Sequence, residues 1–504
     1  MKKKILLILI NIILLFSLSF GEVEIRSSLG ILNEWKLNKW CPLFIQFKNL
    51  GNNVSLDLEI IFTQGLRFAG NSKTIYKQTL KLPSLSTRII ELLLPPIDFR
   101  YPVEIRVKSK DGSVNYYQKL EYNIERVILP LVFILGENRD LFLSFPPKTR
   151  IINVTNEKQL PTNYKAYDSA DYVFIDYNFW QSLSPSKKNA LRLFRTFEKR
   201  VFFFEELKIF PKSLNLTSSR IQFFPPSFLE SPDLSIIDMQ SFSYPNKLKI
   251  LAFLSFYLTV TYLARRLIKN KKFLIFMLFL IIFLSSLISF FLGLEFKKDA
   301  LVFGEKGLIY LSSEKEIAEL YSHFVFFSPF KRDLVFFLPS NAIQIYQPFY
   351  QPQRNIGPLK IDGDERKAYL SLERNKTSYV ECLSLMIFPI RAFYKIKGDN
   401  LEIQVENGSR YDIRSLMLTF EGKDFHLGDL KNQEIKTWNV SLKNPKKEQS
   451  LFFSLISQWK IKSDIIKREK IILWGKIENS LIDLKIERIK YNFRSENLLV
   501  LPLQ

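Results

Sequence analysis

The stretch that decides the reading is ILAFLSFYLTVTYLA at 250–264, RRLIKNKK at 265–272 and FLIFMLFLIIFLSSLISFFLGL at 273–294. The last piece runs 22 residues without a charge. At ~1.5 Å per residue, a helix of that length matches the roughly 30 Å of a bilayer's hydrocarbon layer. Leu248 extends the first piece past Lys249, whose ammonium can reach water along its own stem. This pattern predicts a two-helix transmembrane hairpin, 248–264 and 273–294. The loop between them carries Arg265, Arg266, Lys269, Lys271 and Lys272 and no acid. Short basic loops stay on the cytoplasmic side, so these five cations are the expected topology determinants.

Moving outward, Met1-Lys2-Lys3-Lys4 and the apolar run from Ile5 to Phe20 read as a signal peptide over 1–21. Ser19 and Gly21 supply the small residues before a cut at Glu22. Both signals place the large domains on the extracytoplasmic side of a cell membrane. Residues 22–125 read as strands throughout. Val103, Ile105 and Val107 alternate with Glu104, Arg106 and Lys108, and Lys110-Asp111-Gly112-Ser113 supplies a turn. About seven short strands in ~100 residues suggest an immunoglobulin-like sandwich.

The pattern changes at Val127. VILPLVFIL at 127–135 is almost wholly apolar, as expected of a buried parallel strand, and 151–154, 171–176 and 201–204 can be further strands. Ser184-Pro185 opens a helix whose Ala190, Leu191, Phe194 and Phe197 share one face, with Lys187, Lys188, Arg192 and Arg195 opposite. The expected unit is a small α/β domain over 127–235. Residues 295–504 read as mainly β and extracytoplasmic, with one short helix expected at Ser313, where Glu316 completes a capping box. The predicted fold class is therefore a multidomain membrane protein: β-sandwich, small flavodoxin-like α/β domain, transmembrane hairpin, C-terminal β domain.

Composition bounds the function. The chain has 504 residues, 47% hydrophobic, with a net charge of +22. Its lysines are scattered and no nucleic-acid-binding signature accompanies them, so the charge reads as composition bias and nucleic acid is not an expected partner. Cys41 and Cys382 lie in different predicted domains and read as buried thiols, and with only His323 and His426 beside them no zinc site is expected. Asp362-Gly363-Asp364-Glu365 lacks the later ligands of a calcium loop and reads as a turn.

The segments 171–176, Leu183-Ser184, Ala190-Leu191-Arg192 and the strand at Val201 resemble the class I glutamine amidotransferase-like domain. The order of segments is similar to that of bacterial membrane-anchored proteins of unknown function, in which this domain follows an immunoglobulin-like ectodomain and precedes a membrane hairpin. Such domains end the helix with Gly-Gly, whereas this chain has Glu198-Lys199-Arg200. Amidotransfer needs a Cys nucleophile and a His base, and 127–235 contains neither. No catalytic residue, cofactor or metal is therefore expected. Asp176, Glu205 and Glu206, near strand ends, are the candidate oxygen ligands, set against their reading as solvated carboxylates. The resemblance implies a noncatalytic scaffold or accessory component of a membrane complex, of the transporter-associated kind, with the lipid bilayer and an envelope protein as partners. A ligand-sensing α/β domain coupled to the hairpin and a carboxylate-dependent envelope hydrolase are the alternatives.

Overall fold

A computed structural model describes residues 23–37, 39–66, 70–96, 101–121, 128–137, 148–198, 200–204, 247–268, 270–298, 301–312, 315–348, 357–374, 376–442, 452, 471–482, 484–487 and 491–503. The expected signal peptide lies outside the described residues.

The strands before the helices are β1 Val23–Leu29, β2 Cys41–Asn49, β3 Val54–Leu66, β4 Gly70–Leu82, β5 Thr87–Leu94, β6 Val103–Ser109 and β7 Asn115–Leu120. They divide between a three-stranded sheet, β1-β2-β5, and one end of a seven-stranded sheet. The period of two sets their facing. Val103, Ile105 and Val107 are fully buried, and the intervening Arg106 reaches Glu104 at 2.7 Å on the outer face. At the turn into β7, Gly112 takes φ +77°, and Asp111 accepts from the amide and hydroxyl of Ser113. Hydrogen bonds from Ser109 and Ser113 draw the Asp111 carboxyl down to about 2.

Next come β8 Leu131–Leu135, β9 Arg150–Val154, β10 Tyr172–Ile175, helices α1 Tyr177–Ser182 and α2 Pro185–Glu198, and β11 Val201–Phe203. The four strands form a parallel sheet in the order β11-β10-β8-β9. Ala190, Leu191, Leu193, Phe194 and Phe197 of α2 cover its inner face. Two long helices follow, α3 Lys247–Leu267 and α4 Lys271–Lys298.

The remaining strands are β12 Leu301–Ser312, β13 Lys315–Ser328, β14 Arg332–Phe337, β15 Ala342–Tyr346, β16 Leu359–Asp362, β17 Lys367–Leu372, β18 Lys376–Ile387 and β19 Ile390–Lys397. They continue as β20 Asn400–Asn407, β21 Ile413–Phe420, β22 Lys423–Leu430, β23 Ile435–Ser441, β24 Ile471–Ile477 and β25 Tyr491–Leu503. An eight-stranded sheet runs β15-β18-β13-β12-β25-β24-β21-β22, and a three-stranded one runs β19-β20-β23. Strands β14, β17 and β16 complete the seven-stranded sheet: β16 pairs in parallel with β4, Leu359 against Thr74 and Asp362 against Lys77. That pairing carries one sheet across the boundary drawn between 22–125 and 295–504.

The predicted fold class is corrected on two counts. First, the chain is mostly β, and the parallel sheet is not a self-standing α/β domain. Its core takes in Ile31, and Tyr310, Ile317 and Leu385 from the large sheet pack against it. Second, the hairpin is not assigned as transmembrane. Among the described residues no helix is long and apolar enough to cross a membrane. The spans 248–264 and 273–294, and the cytoplasmic assignment of the loop between them, are withdrawn. A smaller correction concerns the helix expected to start at Ser313, a residue that itself lies outside the described ones. The segment after it is strand β13, paired with β12 and β18 along its length, and Glu316 forms an ion pair with Arg391 instead of capping a helix.

Candidate functional site

Asp176 ends β10 and begins α1, where its carboxylate accepts from the amides of Asn178 and Phe179. It is buried, so its role is that of an N-cap, which explains an acid at this position without a ligand. In the sheet order β11-β10-β8-β9 the chain reverses direction between β8 and β10, the crevice where open parallel sheets bind ligands. Here the chain itself fills it. Gly136, at φ +111°, lies so close that a Cβ added there would stand 2.7 Å from the Cβ of Asp176 and 2.9 Å from that of Phe179. Glu205 and Glu206 lie outside the described residues. Asp362 caps its turn by accepting from the amides of Asp364 and Glu365, and Asp364 accepts from the amide of Thr79. Cys41 and Cys382 are both buried free thiols.

The largest group of buried charges was not visible in the sequence. Lys165 is buried between the parallel sheet and β13. Its ammonium stands 2.9 Å from Glu319 and 3.4 Å from Glu198. Arg200 holds the other oxygen of Glu198 at 3.0 Å, and the Tyr321 hydroxyl donates to Glu319 at 2.9 Å. Burial alone would lower the Lys165 pKa, but Glu319, Tyr321 and Glu198 outweigh it and the ammonium is held well above its usual value. Nearby, Asp168 is pushed up by burial and pulled down harder by Lys39, Lys165 and Arg200, so it sits below the usual carboxylate range. Lys36 binds Asp171 at 2.6 Å and ties the segment before β2 to the start of β10. These charges join three sheets. Each acid has a cation, as buried charges require.

A second polar row crosses the large sheet. The strand registers place Lys306, His323, Glu381 and Tyr346 side by side on β12, β13, β18 and β15. The Tyr346 hydroxyl donates to Glu381, and its ring meets Trp40 edge-on with centroids 5.6 Å apart. His323 Nδ1 lies 3.5 Å from Glu381. A histidine beside a carboxylate and a phenol has the makings of acid–base chemistry, yet all four side chains are buried. On the opposite face Glu305 accepts from Ser322, Ser480 and Ser495 at 2.8, 2.7 and 3.0 Å. Burial raises its pKa more than these hydroxyls lower it. Among the described residues no group of three or more His, Cys, Asp or Glu could hold a metal ion. A charge inside a continuous apolar strand, such as Glu305-Lys306 in LVFGEKGLIYL, was the signal that could have pointed to these rows.

The hairpin is the third place. Of the twenty-seven exposed large apolar side chains among the described residues, fifteen lie on α3 and α4. Phe256 is 65% exposed, Phe279 71% and Phe283 64%. The hydroxyls of Thr259 and Thr261 donate to the carbonyls of Ser255 and Tyr257, both at 2.7 Å, so that these donors are satisfied within the helix. Asn270 caps α4 by accepting from the amides of Lys272 and Phe273. Arg265, Arg266 and Lys272 are exposed beside this cap. Lys269 and the Lys271 side chain lie outside the described residues.

A family profile, Domain of unknown function (DUF8726), matches residues 22–123. No curated protein matches the chain. The yeast delta-COP-I mu-homology domain complexed with a Dsl1 WxWxV peptide is similar at 7% identity and a TM-score of 0.26, over 41% of this chain and 98% of that one. A β-D-mannosidase from Dictyoglomus thermophilum is similar at 8% identity and a TM-score of 0.14, over 94% of this chain and 77% of its own. A calcium-binding mutant of Bacteroides uniformis β-glucuronidase 2 has the same identity and TM-score, over 94% and 61%. At these scores the solved structures carry no argument about this chain.

Proposed function

We propose that the chain is a noncatalytic scaffold, an accessory part of a larger assembly, held at a lipid bilayer by the α3–α4 hairpin with its β body displayed on the extracytoplasmic side. The observation that carries the reading is the hairpin's surface: fifteen large apolar side chains exposed within 35 residues, Leu254 to Ile288. Burying one such side chain is worth about 1.5–3 kcal/mol, so a surface of this size left in water would cost tens of kcal/mol. Scattered apolar exposure is ordinary; a continuous patch marks a contact. The body supports the noncatalytic part of the reading. Its histidine–carboxylate row is sealed inside the sheets, and its buried acids are committed to cations, hydroxyls or a helix cap.

The test is flotation. Full-length chain, moved from detergent into phosphatidylglycerol–phosphatidylcholine vesicles, should rise with them through a density gradient. A variant with Phe256, Phe276, Phe279 and Phe283 changed to Ser should stay at the bottom. A parent chain that remains folded and monodisperse in buffer, apart from the vesicles, overturns the proposal.

A further inference from the structure

The contact between the parallel sheet and the eight-stranded sheet turns on one carboxylate, that of Glu319. The strand pairing sets it on β13 between Tyr310 of β12 and Leu385 of β18. From the single turn Tyr164–Tyr167 the Lys165 ammonium approaches it to 2.9 Å, and Glu198 of α2 stands 3.4 Å from the same ammonium. All three side chains are at most 6% exposed. Arg200 meets Glu198 at 3.0 Å, and Tyr321 donates to Glu319 at 2.9 Å. The Lys165 ammonium also lies over the rings of Tyr164 and Tyr321, at 5.5 and 5.7 Å. Asp168, paired with Lys39 at 3.3 Å, completes the charged surroundings among the described residues.

An acid so deeply buried favours its neutral form, and here a second acid draws on the same ammonium. We infer that Glu319 is a proton-operated latch: a proton on it fastens the parallel sheet to the large sheet, and loss of that proton loosens the contact. Burial, aided by the charge of Glu198, raises the Glu319 carboxyl more than Lys165 lowers it. Docked, Glu319 therefore keeps a proton over a range of pH in which the same carboxyl in water has lost it. The docked form gains as pH falls into that range and weakens as pH rises through the raised value. Lys165, Arg200, Tyr164 and Tyr321 are held above their ordinary values and Asp168 below its own, so these groups titrate on either side of it. Elsewhere the parallel sheet keeps its ties to the segment before β2, Lys36 to Asp171 and the Ser169 hydroxyl to the Trp40 carbonyl, so the loosening is one-sided. The inference goes beyond the scaffold reading and stands apart from it: it gives the β body a response to acidity.

The test is hydrogen exchange read by mass spectrometry on full-length chain in neutral detergent, corrected for the intrinsic effect of pH on exchange. Between about pH 5 and about pH 8, amides in 160–170 and 315–328 should lose protection severalfold, since each unit by which a pKa is displaced is worth up to ~tenfold. Glu319→Gln carries a neutral amide at every pH and should hold the same protection throughout. Glu305→Gln removes the other buried acid of raised pKa and should keep the parent's loss at these amides. A parent whose amides stay equally protected across the range overturns the inference, and does so even if Glu319→Gln fails to fold. A loss of the same size in Glu319→Gln, or its disappearance in Glu305→Gln, overturns it as well.

Discussion

The β body and the α3–α4 hairpin handle the same residue types in opposite ways. In the body, Phe303 and Phe326 stack at 4.9 Å in a sealed core. In the hairpin, Phe279 and Phe283 face outward. The body also buries charges, Lys165, Glu319, Glu305 and Lys306 among them, whereas the described cations of the hairpin loop are exposed. The difference teaches where each region's stability comes from. The body is closed: its seven-stranded sheet draws strands from before and after the hairpin, and its buried charges find partners within the chain. The hairpin is open: fifteen of its large apolar side chains stand exposed among the described residues.

The sharpest way to break this comparison is to leave a charge in the body unmatched. Lys165→Met removes the cation that stands between Glu319 and Glu198. Removing one member of a buried pair costs about 3–5 kcal/mol. The expected result is a large fall in resistance to limited proteolysis, with cuts first in the parallel sheet. Adding Glu319→Gln should restore part of the loss, because the orphaned charge goes with it. A Lys165→Met chain as resistant as the parent would show that the network does not hold the sheets together.

A smaller effect is expected at Glu305. Its folded pKa is raised by burial against its three hydroxyl donors. Between the unfolded carboxyl range and that raised value, the folded chain keeps a proton that the unfolded chain has lost. Stability therefore falls as pH rises through that window. Glu305→Gln has no such proton, so its melting temperature should decline less than the parent's between about pH 4 and neutrality. A parent and variant with the same slope would contradict the assignment.

Much of the local structure was legible. The alternation at Val103, Ile105 and Val107 gave β6, and the apolar runs at 250–264 and 273–294 became α3 and α4. The long-range pairing was not. Strand β16 joins β4 across more than 270 residues, and no local pattern specifies a partner that distant. The capping pattern drawn from Ser313, itself outside the described residues, and Glu316 gives no helix after Lys315, where β13 pairs on both sides. The site was less legible still. Lys165 sits in Asn163-Tyr164-Lys165-Ala166-Tyr167, a polar-looking segment that only packing against Glu319 makes a buried junction. Asp176 was read as a possible ligand because strand-end carboxylates often are; the two amides that follow it give the simpler account.

The central claim is that the outward face of the hairpin meets lipid, and both native cysteines are buried, so a single introduced thiol can report on it. Phe279→Cys, labelled with an environment-sensitive dye in vesicle-bound full-length chain, places the probe at one of the most exposed apolar positions. The account predicts blue-shifted emission that is strongly quenched by nitroxide-labelled lipid acyl chains. Emission typical of water, or a blue shift that nitroxide lipids leave unquenched because protein covers the site, would contradict it.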